Sequence, residues 1–139
     1  MRSTCFALAL AIAALAPGAR AQSPAPAKPI TLATVRQDMI GTWQNEADTR
    51  FTRELDANGR AFDRLLGEEG DSVPGSWTIF AGSAPPKKLA GHKFDSDGVY
   101  LEIDRDEDTL LFQLVRVSRS DLQMIDLEQK VMLDFSRLD

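Results

Sequence analysis

The chain has 139 residues, with 16 Lys and Arg against 21 Asp and Glu, a formal charge of −5, one cysteine and one histidine. That length holds one domain around one core. An acidic balance without a basic stretch argues against nucleic acid or an anionic membrane surface as partner, and one Cys and one His make no transition-metal set.

The chain opens like an export leader. Arg2 is a short positive start, Cys5 to Ala16 is an unbroken apolar run of twelve, and Pro17-Gly18 breaks it. Ala19-Arg20-Ala21 then supplies the small-x-small pattern that signal peptidase reads. Twelve apolar residues reach only about 18 Å as a helix, short of the ~30 Å hydrocarbon core, so no membrane span is expected. Residues 1–21 are therefore expected to be a signal peptide, cleaved between Ala21 and Gln22. Cys5 leaves with it, so the mature chain is expected to carry no disulfide and no thiol nucleophile. An extracytoplasmic domain of that kind suits a bacterial envelope, periplasmic or secreted. Without Arg2 and Arg20, 14 basic residues face 21 acidic ones over 118 positions, a formal −7.

Residues 22–29, "QSPAPAKP", alternate proline with small residues and read as an extended tether. The domain is expected over 30–139. It starts with "TLATVRQDMI", where Leu32, Val35 and Met39 share one helical face and Thr31 is placed to cap. From Gly41 the hydrophobic period becomes two. Alternating runs fall at 43–45, 50–55, 60–66, 76–80, 99–104, 110–117, 122–127 and 131–138, separated mostly by short turns. Eight such runs predict an all-β fold, a single up-and-down antiparallel barrel of about eight short strands behind a short N-terminal helix. "GEEGDSVPG" and "AGSAPPKKLAGHKFDSDG" read as two longer loops.

The hairpin "FTRELDANGRAFDRLL" is specific enough for a register. Asp56 at the first turn position and Gly59 at a left-handed one fit a type I turn with a glycine bulge. Arg53 then faces Asp63, Phe51 faces Leu65 and Leu55 faces Ala61. The more apolar face, Phe51, Arg53, Leu55, Ala61, Asp63 and Leu65, is expected inside, with one ion pair at its middle. A slip of one residue would reverse the faces. "TLLFQLVRV" is apolar on both faces, so its outer face needs a cover; the helix is the economical choice, a protein partner or homodimer the alternative.

Gly41-Thr42-Trp43 behind a short helix, the Asp56-to-Gly59 turn, Gly75-Ser76-Trp77 opening a middle strand and a closing Phe135-Ser136-Arg137 resemble the bacterial lipocalin-like domains. The resemblance spans Ile40 to Leu138. It implies a barrel with Trp43 plugging the closed end, Gly41 turning the backbone into the first strand, and Arg137 packed over Trp43 in a cation–π contact. It also implies a non-enzymatic binding protein for a small hydrophobic or amphipathic ligand. Phe51, Arg53, Asp63, Trp77 and Phe112 are the candidate contacts. An eight-stranded barrel is just wide enough to be filled by its own side chains or to hold one small ligand. The alternative is thus a filled barrel acting as an interaction or inhibitor module through its long loops and outer patch.

Other chemistry reads weakly. "DSDGVYLEID" put in a calcium-loop frame starts on Lys93 and ends on Asp104, where an acid and a glutamate are required. Asp95 to Gly98 and the acidic stretch 104–108 read as solvated turns. His92 has no nucleophile or metal partner in pattern, and no acid–base pair stands out, so neither catalysis nor a cofactor is expected.

Overall fold

The computed structural model describes residues 31–67 and 72–139. The expected signal peptide and tether lie outside them. Among the described residues the fold is a single closed barrel of eight antiparallel strands in up-and-down order, with one short α-helix. The strands are β1 (Gly41–Asn45), β2 (Phe51–Leu55), β3 (Arg60–Leu65), β4 (Ser72–Ala81), β5 (Val99–Arg105), β6 (Thr109–Val117), β7 (Asp121–Asp126) and β8 (Val131–Arg137). Each pairs with its neighbour in sequence, and β8 returns to β1 with Trp43 opposite Arg137. No described helix is long and apolar enough to cross a membrane.

α1 (Leu32–Met39) starts where expected, with the Thr31 hydroxyl accepting from the Thr34 N–H at 3.2 Å. It ends because Ile40 is already extended and Gly41 takes φ 147°, a conformation that side chains rarely adopt. A Cβ at Gly41 would also stand 2.0 Å from Arg137 Nη1.

The β2–β3 hairpin has the register derived from its turn, with Phe51 opposite Leu65, Arg53 opposite Asp63 and Leu55 opposite Ala61. Gly59 adopts φ 84° and donates to the Asp56 carbonyl at 3.2 Å, while the Asp56 carboxylate accepts from the Asn58 and Arg60 amides. Leu55, Ala61 and the Arg53–Asp63 pair are buried.

Three expectations need correction. β4 begins at Ser72, so half of the first long loop is strand. Pro74 is tolerated there because it pairs only with Phe62 of β3; pairing to β5 starts at Gly75, and no ladder partner asks for the missing N–H. α1 does not lie on the outer face of β6 but closes one end of the barrel. Met39 and Val35 are buried among Trp43, Leu55, Trp77 and Leu122, whereas Leu32 is 39% exposed. Finally, β6 carries a bulge between Leu114 and Arg116. It leaves Val115 outside and returns Val117 to the core beside Leu110, Phe112 and Leu114.

The outer cover comes from the 82–98 loop instead. Leu89, Phe80 and Tyr100 form a second small core outside the barrel wall, with Phe94, Leu111 and Leu127 packed on it. Tyr100 fixes the loop by accepting the Asp95 N–H at its hydroxyl, 2.8 Å away.

Candidate functional site

Strand alternation sends Arg53 of β2 and Asp63 of β3 into the lumen on adjacent strands. Arg53 Nε donates to Asp63 Oδ1 at 2.7 Å and Nη2 to Oδ2 at 2.8 Å, a bidentate pair with both side chains more than nine-tenths buried. Three rings surround the guanidinium: Phe112 at 4.9 Å, Phe51 at 5.5 Å and Phe135 at 5.8 Å from its carbon. Such a position suits Arg, whose planar, weakly hydrated cation stacks on aromatics while its fork holds a carboxylate. Its remaining nitrogen, Nη1, is buried without a hydrogen-bond partner.

Arg105 continues this charge line to the rim. Its Nη1 stands 3.6 Å from Asp63 Oδ2, and its Nε donates to Asp108 Oδ1 at 2.7 Å. The Asp108 hydrogen bond holds Arg105 above its ordinary pKa, and Arg105 in turn holds the Asp108 carboxyl below its own. Arg105 and Asp108 also border a rim cleft of about 530 Å³ with Ser72, Val73 and Pro74.

Of the predicted site residues, the fold brings Phe51, Arg53, Asp63 and Phe112 together. Trp77 is elsewhere, at the helix end, buried with Nε1 donating to the Asp56 carbonyl and Arg36 over its ring at 4.8 Å. At that same end Trp43 is fully buried, donates from Nε1 to the Met39 carbonyl and lies under Arg137 at 4.4 Å. Arg137 also donates to the carbonyls of Asp38, Ile40 and Arg119, tying α1 and the β6–β7 turn to β8.

Two of the four acids of 104–108 are answered by cations. Lys88 meets Asp104, and Arg105 meets Asp108. Among the described residues no group of three or more His, Cys, Asp or Glu is placed to hold a metal. His92 is exposed and stacks near Phe94.

Sequence reasoning missed Arg105 and the pair Lys88–Glu102. Glu102 sits on an alternating strand beside Asp104, which reads as a wet face. Its burial comes from the 82–98 loop folding back over it, and no local pattern announces that.

The fold and site define a closed eight-stranded up-and-down barrel with a paired charge at its centre. No family model, curated protein or solved structure matches this chain.

Proposed function

We propose that the protein is an exported, non-enzymatic barrel of the lipocalin-like kind. Its lumen is structural, and it engages other molecules at its rim and outer wall, as an interaction or inhibitor module of the bacterial envelope. The lipocalin-like reading is supported by Trp43 at the helix-closed end, under Arg137 and entered through Gly41. One observation carries the choice of surface over lumen. The centre of the barrel is occupied by the Arg53–Asp63 pair among Phe51, Phe112 and Phe135, and Trp43, Trp77, Leu101, Ile103 and Met124 pack the remainder at 1% exposure or less. Four clefts are bounded by described residues, one of them between α1 and β6, and none is lined by Phe51, Arg53, Asp63 or Phe112.

A second reading, a small amphipathic or anionic ligand at the mouth, is favoured by one feature. Arg53 Nη1 is an unused donor, and the rim cleft lies on the far side of Arg105. Native mass spectrometry of protein taken undenatured from its own host separates the two. The surface reading expects a mature mass starting at Gln22 with no small-molecule adduct. A retained adduct that disappears in a stable Arg53→Met/Asp63→Leu variant would assign the pair as a ligand handle and overturn it.

A further inference from the structure

The outer wall holds a cleft that the lumen and rim do not use. Thr78 and Phe80 of β4 stand beside Glu102 of β5, and Pro86 and Lys88 of the 82–98 loop close over them around a volume of about 350 Å³. Its floor is set by the β4–β5 register, with Thr78 opposite Glu102 and Ser76 opposite Asp104. The Glu102 side chain is only 4% exposed. Its Oε1 meets the Lys88 ammonium, yet its Oε2 is buried without a hydrogen-bond partner. Buried polar atoms are ordinarily satisfied, and an unmet carboxylate oxygen is among the costlier exceptions.

Lys88 does not fill the site as a packed residue would. Its ammonium bridges Glu102 and Asp104, at 3.1 Å from Asp104 Oδ2, but its side chain is 54% exposed. It stands on a three-residue 3-10 turn, Lys87–Leu89, that is anchored by Leu89. Rotation of this exposed side chain would free the ammonium without undocking the turn.

We propose that this cleft is a binding site for a protonated alkylamine, and that Lys88 is an internal occupant which an incoming ammonium displaces. An incoming ammonium takes over the acceptors that Lys88 holds, Glu102 Oε1 and Asp104 Oδ2, beside the unmet Oε2 of the same Glu102 carboxylate. The aliphatic stem lies along Phe80 and Pro86. The site goes beyond the surface-module reading, because a free amine fills it without any protein partner.

The test titrates n-butylamine into isotope-labelled protein and follows the amides of Thr78, Phe80 and Glu102. Native protein should show saturable shifts. Lys88→Ala should tighten binding about tenfold or more, since the competing occupant no longer holds the site closed. Adding Glu102→Gln to that variant should abolish the gain. Butyltrimethylammonium has the same charge and no N–H, so it should produce no saturable shift. N-acetyl-lysine methylamide distinguishes the source: tighter binding than butylamine assigns the site to a protein-borne lysine, and equal or weaker binding to a free amine. Equal response to the two cations, or no tightening in Lys88→Ala, overturns the proposal in favour of a purely structural ion pair. Should Lys88→Ala fail to fold, the comparison of the two cations on native protein still decides.

Discussion

Arg53 and Asp63 were legible as a pair because the Asp56-to-Gly59 turn admits one register, and in a barrel register decides which face is dry. The pair is held by two charge-assisted hydrogen bonds away from water, so each partner's solvation cost is met chiefly by the other, with Arg105 a more distant second cation for Asp63. Arg53→Met or Asp63→Leu alone should therefore cost about 3–5 kcal/mol, and the double change should recover most of that loss. Urea midpoints of the four proteins measure it; additive single effects would mean that the two charges do not depend on each other. The rim carboxylates predict a pH dependence. Asp108 is held below its ordinary 3.8 chiefly by the hydrogen bond from Arg105, and Asp104 below the same value chiefly by that from Lys88. A carboxyl depressed in the folded state contributes stability that is present above 3.8 and is lost as pH falls through its folded value. Lys88, raised above 10.5 chiefly by Glu102, contributes below that pH and loses its contribution as pH rises through the raised value. Asp108→Asn should consequently flatten the acid limb of the stability curve below pH 3.8 and leave the Lys88 contribution at alkaline pH unchanged. An unchanged acid limb would show that Asp108 does not contribute there.

Elements were readable to the extent that their own residues determine them. Period-two runs located all eight strands, because a barrel wall with one dry face imposes alternation on each strand separately. What could not be read is where an element goes once made. The Leu32, Val35 and Met39 stripe states that α1 has a dry side, but not whether it lies against a wall or an open end. Ser72-Val73-Pro74 reads as loop because its one-sided pairing is a property of β3 and β5, not of the tripeptide. The bulge at Val115 is hidden because one extra residue in an apolar run leaves the run apolar. The end-plug geometry has a direct consequence. Met39 is fully buried beside Trp43, so Met39→Ala should cost about 2–5 kcal/mol. Leu32, at 39% exposure, should tolerate alanine within about 0.5 kcal/mol. Thermal or urea unfolding distinguishes them, and comparable losses at both positions would place α1 on a different face.

At the scale of the whole molecule, closure rests on β8. Its Phe135 supplies one wall of the Arg53 cage, and its Arg137 covers Trp43 while binding the carbonyls that hold α1. β8 therefore joins the lumen charge, the plugged end and the final strand pairing in one segment. Without it, β1 and β7 become open edges, and the row of unpaired amides and carbonyls on each is a template for another chain. A protein ending at residue 130 should thus not persist as a seven-stranded sheet. It should lose its cooperative thermal transition and self-associate. A synthetic peptide of residues 131–139 added in excess should restore a cooperative, monomeric fold, because it returns both edges their partner and Trp43 its guanidinium. The same peptide with Arg137→Ala should restore pairing but leave a lower midpoint, by about 0.5–2 kcal/mol for the cation–π contact and more for the lost carbonyl bonds. Calorimetry with light scattering reads both properties. A truncated protein that stays monomeric and melts cooperatively would show that the barrel is held by its hairpins and α1 alone, with β8 merely laid along them.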